Sequence, residues 1–510
     1  MPTYKFAFPD ISIGWLKQLG VAASYALLLY LGELFFEGDA IIGHFEPASG
    51  LALAVLLLGG KRYIWGIFLG AALIHSISGD PLREAFIIAS SDALEGLLGA
   101  WLLTGDGRFD SRLQSLHDYL RLILLGGCVS IALSALLTST LLLSVGLLTP
   151  DGYFHSLLHW WMSDTLGVIL ITPLILVWWQ EKSNWRGVRP RQLIEASLLL
   201  GLAILVGQMI FFNWLSGVVD STNREYWMFM FVNCVAMFLG TRGTTFILVV
   251  VAIQAMFGAI QGTGYFADDI AKSYLVNYWF YMVTLSLVGM TLAIYVNEIK
   301  QAKVAAAYRD ALIREIHHRI KNNLQGITGL LRRLAEDHPE TTESINQTVS
   351  QVQSIAAIHG LQERTPAGNI QLRELAGAVA AAVGSLWQKP IAVETLPGWT
   401  ACAVGEAEAV PLALILNELL SNAVKHGGML GQIKIALGRG AHPYSIRIAI
   451  CNSGQLPPDF DFEHNTGTGL QLVKSLMPPA GAVLSWQCQD NTVTAMLELE
   501  PPVITLVPEP

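Results

Sequence analysis

The sequence predicts a multi-domain chain: an α-helical polytopic membrane bundle, then a dimeric antiparallel four-helix bundle, then an α/β sandwich. Three observations carry this. Long apolar runs are confined to residues 1–298 of the 510, and they lift the whole chain to 53% hydrophobic and a mean hydropathy of +0.47. Residues 299–366 then show apolar side chains at helical spacing in two stretches. Residues 370–500 mix helical periodicity with strand-like alternation. The organisation expected is therefore a membrane domain over 12–298, a helical hairpin over 299–366 and a sandwich over 370–500, with a short Pro-rich tail after Leu499.

A span needs about 20 apolar residues. Candidates lie near 15–36, 40–59, 63–78, 83–103, 119–148, 154–179, 193–215, 225–240, 244–261 and 274–298, with 225–240/244–261 reading as a tight hairpin. The first run follows a single lysine with no cleavage-site pattern, so it reads as a retained span and not a signal peptide. With the N-terminus inside, cytoplasmic loops hold twelve Lys and Arg, among them Lys61, Arg62, Arg189 and Arg191. Outer loops hold three, Arg83, Arg224 and Lys272. That asymmetry predicts ten spans with both ends in the cytoplasm. Glu33, Glu46, His75, Asp92, Glu95, His159 and Asp164 lie in or beside spans. Such groups either pair to hold the bundle or face a ligand, and spacing alone does not choose. Pro47-Ala-Ser-Gly50 and Pro173 read as span interruptions, either for a cavity or as packing kinks.

The stretch Glu315-Ile-His-His-Arg-Ile-Lys-Asn-Asn-Leu-Gln325 carries the chemistry. On a wheel of about 100° per residue, Ile313, Ile316, Leu324, Ile327 and Leu331 fall close to Ile320, a narrow seam of the coiled-coil kind. His318 falls on the opposite, solvent side with Glu315, Asn322 and Gln325, whereas His317 flanks the seam. A nucleophile must be reachable, so His318 is the candidate. Glu315, one turn earlier, is the expected acid/base partner. A second stretch from about Thr342 to Gln362 has seam residues Ile345, Val349, Val352, Ile355 or Ala356, and His359, with Asp337-His-Pro-Glu340 as the turn. Two antiparallel helices bury one seam poorly, so a homodimer is expected to complete a four-helix bundle.

In the last region Gln371–Leu386 and Ala407–His426 read as helices, and Ile433–Leu437, Ser445–Cys451, Ala482–Gln487 and Thr492–Leu499 as antiparallel strands. Asn417, Glu418, Ser421, Asn422 and Lys425 recur at helical spacing, which offers oxygen ligands for Mg²⁺ and a lysine for phosphate. Thr466-Gly-Thr-Gly469 opens a further helix whose N–H groups could cradle phosphate. A histidine helix followed by such a face suggests an enzyme that phosphorylates its own histidine from ATP. The net charge of −9 argues against a nucleic-acid surface. The five cysteines are scattered, so neither a disulfide frame nor a zinc site is expected.

Three resemblances follow from these motifs. Glu46-Pro-Ala-Ser-Gly-Leu51, Leu58-Gly-Gly-Lys-Arg-Tyr63 and Trp160-Trp-Met-Ser-Asp-Thr-Leu-Gly167 resemble the first-described type of the MASE membrane sensor domains, over roughly 12–298. That implies sensing of a signal ligand it does not name. The His-His-Arg-Ile-Lys-Asn-Asn-Leu-Gln run resembles the phosphotransfer helix of sensor histidine kinases related to the HWE group. It implies His318 as phosphoacceptor and Asn322 as a residue positioning water for a phosphatase reaction. Arg319 stands where the commonest kinases carry an acid. Residues 370–500 resemble the ATP-binding domain shared by histidine kinases, Hsp90-type chaperones and gyrases. That resemblance implies Asn422 and Glu418 at Mg²⁺, Lys425 at phosphates, and a nucleotide pocket drawn from Asn417, His426, Asn452, Gly454, Gly467, Thr468, Gly469 and Leu470, with a lid over about 455–466. Asn452 departs from the family's Asp, so its hydrogen bond to adenine should be weaker.

The expectation is a membrane sensor histidine kinase that passes phosphate to a separate response regulator. The alternatives are a polytopic transporter or receptor with a degenerate regulatory ATPase-like domain, and a chaperone-like ATPase.

Overall fold

The computed structural model describes residues 14–506 except 37–44, 181–189, 215–225, 270–275, 365–368, 428–431, 458–459, 463 and 465–467. It forms two compact units, Met1–Lys303 and Val304–Pro510.

Among the described residues the regular structure of the first unit is helical: α1 (Trp15–Phe36), α2 (Pro47–Gly59), α3 (Ile64–Ile77), α4 (Leu82–Thr104), α5 (Leu116–Arg121), α6 (Ser130–Ser144), α7 (Tyr153–Gln180), α8 (Pro190–Phe211), α9 (Trp227–Ile260) and the start of α10 (Val276–Asp337). A π-helical stretch, Leu122–Val129, joins α5 to α6 in one span-length element. Seven described helices are long and apolar enough to cross a membrane, but one of these, Glu406–His426, lies inside the second unit's core. The second expected span is shorter than read, because α2 begins only at Pro47. There Glu46 caps it by accepting from Ala48 N–H at 3.2 Å, so Pro47 starts a helix instead of interrupting one. Pro173 lies inside α7.

The expected hairpin 225–240/244–261 corresponds to α9. Gly240 leaves helical geometry with φ +65° and ψ −157°, a conformation open to glycine. A Cβ built on Gly289 would meet Val232 Cγ1 at 2.6 Å and Thr244 Cγ2 at 3.3 Å. A straight helix would hold those two about 18 Å apart, so the chain reverses at Gly240.

The sequence motifs of this unit converge. Gly50 of α2 lies against the Gly167 carbonyl of α7, where any side chain would collide. Ser49 donates to Asp164 at 3.0 Å, Thr172 donates to the Gly50 carbonyl at 2.9 Å, and Glu46 N–H to Ser163 O at 3.3 Å. Tyr25 donates to Asp92 at 3.0 Å, and His75 pairs with Asp80 at 2.9 Å. The intramembrane acids thus tie helices together. The side chain of Glu33 lies outside the described residues.

In the second unit α10 continues to Asp337, a 3₁₀ turn spans Pro339–Thr341, and α11 (Thr342–Arg364) returns. The expected single seam is split. His317, Ile320, Lys321, Leu324, Thr328, Leu331 and Ala335 line the covered side of the histidine helix. Ile313 (43% exposed), Ile316 (55%), Ile327 (46%), Leu330 and Leu334 form a second, open apolar line.

The sandwich follows with β1 (Ile370–Gln371), α12 (Leu372–Trp387), β2 (Ile391–Thr395), β3 (Cys402–Val404), α13 (Glu406–His426), β4 (Ile433–Arg439), β5 (Ile446–Ser453), α14 (Thr468–Leu476), β6 (Ala482–Gln489), β7 (Thr492–Leu499) and β8 (Ile504–Leu506). The main sheet has order β2-β4-β5-β7-β6. Its inward residues, such as Ile435, Ile448 and Leu497, pack on Leu375, Val379, Leu416 and Leu420 of α12 and α13. The four expected strands pair antiparallel. A further strand that the sequence reading did not name, β2, joins them parallel to β4. The tail is not merely a Pro-rich end, since β8 pairs with β3 and buries Val503 and Ile504.

Candidate phosphotransfer and nucleotide site

His318 is exposed, and the one hydrogen-bond partner described for its ring is Asn322, whose Nδ2 is 3.4 Å from His318 Nδ1 one turn along. Glu315, the expected acid/base partner, is paired along its own helix. Its Oε1 accepts from Arg319 Nε at 2.6 Å, and that guanidinium holds the carboxyl below the usual carboxylate range. The neighbouring His317 is turned inward: its Nδ1 lies 3.0 Å from His359 Nδ1 of α11, and its Nε2 lies 3.9 Å from Glu406 at the start of α13. Burial and the nearby His317 push the His359 imidazole below its ordinary value. His317 is therefore a structural contact between three helices, as its seam-flanking position suggested.

α13 carries the candidate nucleotide residues. Glu406 and Glu408 in its first turn and Lys425 and His426 in its last complement the helix dipole. At its C-terminal end His426 O lies 3.1 Å from where a Gly454 Cβ would stand, and Asn452 lies beside Gly427. Gly454 has φ +150° and donates its N–H to Asn491 O at 2.8 Å. Asn452 is buried and donates Nδ2 to the Ser453 carbonyl at 3.2 Å. At mid-helix, Gly469 of α14 faces Glu418, and a Cβ there would fall 2.5 Å from Glu418 Oε2. The structure thus brings Glu418 to Gly469 in the Thr468-Gly469-Leu470 turn, and His426 to Asn452 and Gly454. Asn422 is partly exposed on the same helix. Gly467 lies outside the described residues, as does part of the expected lid. Phe460 and Phe462 of that segment pack on Trp486, with ring centroids 5.3 and 4.6 Å away.

Sequence reasoning missed what covers α13. Asn417 and Glu418 are 0% exposed. Asn417 Nδ2 donates to Ser350 Oγ at 2.8 Å and Ser354 Oγ at 2.7 Å. Glu418 accepts from Gln347 at 3.0 Å and Gln351 at 2.5 Å. Lys425 Nζ reaches Glu343 and Gln347, each at 3.3 Å, and lies 5.9 Å over the Trp387 ring. The covering residues recur at helical spacing along α11, which in sequence reads as an ordinary solvated face. A groove of about 590 Å³ lies elsewhere, between the hairpin and α12, lined by Lys321, Gln325, Arg332, Gln353, Ala381 and Ser385 among others.

Comparison with known families decides the first unit: residues 16–300 match the MASE1 model, more than half of the chain. The chain belongs to the MASE1 family. Behind the MASE1 unit, residues 315–386 match a histidine kinase family model. The sensor histidine kinase PdtaS of Mycobacterium tuberculosis is 30% identical over 190 residues, covering 36% of this chain and 37% of that protein. PdtaS of Mycolicibacterium smegmatis is 29% identical, covering 36% and 38%. The chain therefore spans little more than a third of the length of these relatives. Among solved structures, the histidine kinase domain of the Erythrobacter litoralis EL346 blue-light activated kinase superposes at TM-score 0.28 with 19% identity, covering 38% of this chain and 94% of that one. A mycobacterial sensor histidine kinase, MprB, gives 0.22 with 20% identity, covering 26% and 95%.

Proposed function

We propose that this MASE1 protein is a membrane sensor histidine kinase that transfers the γ-phosphoryl of ATP to His318 and then to an aspartate of a response regulator. The observation that carries the reading is the contrast between the two adjacent histidines. His317 is locked into a helix contact, whereas His318 stands in solvent with Nδ1 engaged by Asn322. That leaves Nε2 as the open nucleophile. With Glu315 tied to Arg319, Asn322 takes over the orienting role at the ring, and its amide is also suited to positioning water for dephosphorylation.

ATP would lie against α13 between the Asn452–Gly454 and Thr468–Leu470 ends, with Lys425 at its phosphates. Asn422 and Glu418 offer hard oxygen ligands suited to Mg²⁺. The Gly469 approach to Glu418 leaves no room for a side chain, and Asn417 Oδ1 and Ser421 Oγ are buried without partners, as expected of a face built for a guest. Mg²⁺, when bound, would neutralise charge on the phosphates. Lys425 lies about 28 Å along α13 from Glu406, the end that meets His317. Transfer therefore requires the sandwich to re-dock on the hairpin, or a donor domain from a second protomer.

The open line of Ile313, Ile316, Ile327, Leu330 and Leu334 supports a homodimer completing a four-helix bundle. The continuous helix Val276–Asp337 offers a covalent path from the lipid-embedded MASE1 unit to the hairpin, and the positive-inside pattern supports a kinase region in the cytoplasm of a bacterium. The signal ligand is left unnamed by this reading. The test is full-length protein in membranes with γ-labelled ATP and Mg²⁺. Acid-labile label should vanish in His318→Gln and survive in His317→Gln. ATP hydrolysis without any label would favour a chaperone-like ATPase.

A further inference from the structure

We propose that α11 is a built-in plug of the nucleotide site: Gln347, Gln351 and Glu343 occupy the positions on α13 that a metal–phosphate group would take, so that docking of this helix and binding of MgATP exclude each other. The proposal rests on the reading of Glu418 and Lys425 as nucleotide-site residues.

The geometry is specific. The Gln347 side chain is a single amide with two ends. Its N–H end meets Glu418 Oε2 at 3.0 Å, where a cation would sit. Its carbonyl end accepts from Lys425 Nζ at 3.3 Å, where a phosphate oxygen would sit. Gln351 takes the second Glu418 oxygen, and Glu343 supplies the anion for Lys425. One side chain thus imitates both halves of the ligand, and the carboxylate is left with no exposure to solvent. Glu343, Gln347, Ser350, Gln351 and Ser354 recur at the three- and four-residue spacing of one helix face, so they engage and release together.

Two further observations mark the contact as releasable. The docked pose leaves Asn417 Oδ1 and Ser421 Oγ buried and unpartnered on α13, and a buried unsatisfied acceptor carries a cost that opening to water or a ligand removes. The contacts described from residues 343–354 to α13 are hydrogen bonds and an ion pair. Further along the same face Ile358 and Leu361 pack into the sandwich core, so release is confined to the turns before them. The opposite side of α11 carries His359 against His317, so displacement of the histidine helix acts directly on the plug.

The experiment measures binding of a non-hydrolysable Mg²⁺–ATP analogue to the full-length protein in detergent or nanodiscs. Wild type, Gln347→Ala/Gln351→Ala and Asn422→Ala are compared by calorimetry, and amide hydrogen exchange over residues 342–354 is followed in wild type. The plug predicts at least tenfold tighter binding by the double variant, and faster exchange of 342–354 when the analogue binds. Unchanged or weaker binding by the double variant, or slower exchange of that segment, overturns it. If the double variant fails to fold, the wild-type exchange result decides alone. Asn422→Ala separates the two claims. Weaker binding there with no gain in the double variant removes the plug but leaves the nucleotide reading. No effect of Asn422→Ala, or no binding by any version, removes the nucleotide reading and the plug with it.

Discussion

The histidine helix and α13 treat their functional faces in opposite ways. His318, Glu315 and Asn322 face solvent, and the hydrogen bonds described for them, Asn322 with His318 and Arg319 with Glu315, each stay within one turn of their own helix. Asn417 and Glu418 are sealed, and every contact described for their side chains comes from another helix. On the proposed reading the acceptor is presented and the nucleotide seat is covered, so control is exerted at the second region and not at the first. A signal needs only to shift a two-state docking equilibrium, not to create a nucleophile.

The largest expected effect breaks the proposed dimer. Charges on the open apolar line, Ile316→Glu with Ile327→Glu, should convert a dimer to a monomer by light scattering of the detergent-solubilised protein. Phosphorylation should fall with it if the donor domain comes from the second protomer. A dimer that persists would place the contact elsewhere.

A smaller effect sharpens the donor side. Asn452 spends its amide on the next residue's carbonyl and has no charge to offer adenine. Asn452→Asp should tighten ATP binding by roughly tenfold, the size of one charge-assisted hydrogen bond gained over a neutral one. Equal affinities would show that this position does not touch the base.

The smallest effect concerns the hinge between the regions. His359 in the folded chain holds its proton less readily than a free histidine. Below about pH 6.5 the unfolded chain binds more protons at this position, so stability is lost as pH falls through the folded value and is fully present above the unfolded one. Thermal midpoints measured from pH 7.5 down to 5.5 should fall more in wild type than in His359→Gln. Parallel curves would remove the His317–His359 contact from the account.

Much of the fold was legible because periodicity reports burial. The four main strands alternate cleanly, and both long sandwich helices begin and end within a residue of their expected bounds. β2 was missed because its five residues lie between Pro390 and Pro397 and pair parallel at the sheet edge, where alternation is weak. β8 was missed because two prolines precede a strand of three residues. The site was legible in its parts, since His318 and the α13 residues announce themselves by type and spacing. Their partners were not. Gln347 and Gln351 look like a solvated face until a second helix is laid on them, and the pairing of Glu315 with Arg319, four residues on, shows only once the side chains are placed. Contacts between elements distant in sequence leave no local pattern to read.

The most direct measurement is the initial rate of acid-labile labelling from γ-labelled ATP at subsaturating concentration, in full-length protein in membranes. Wild type, His318→Gln and Gln347→Ala/Gln351→Ala would be run side by side. The account predicts no label in the first variant and a faster rate in the second. Wild-type labelling that survives His318→Gln would contradict it.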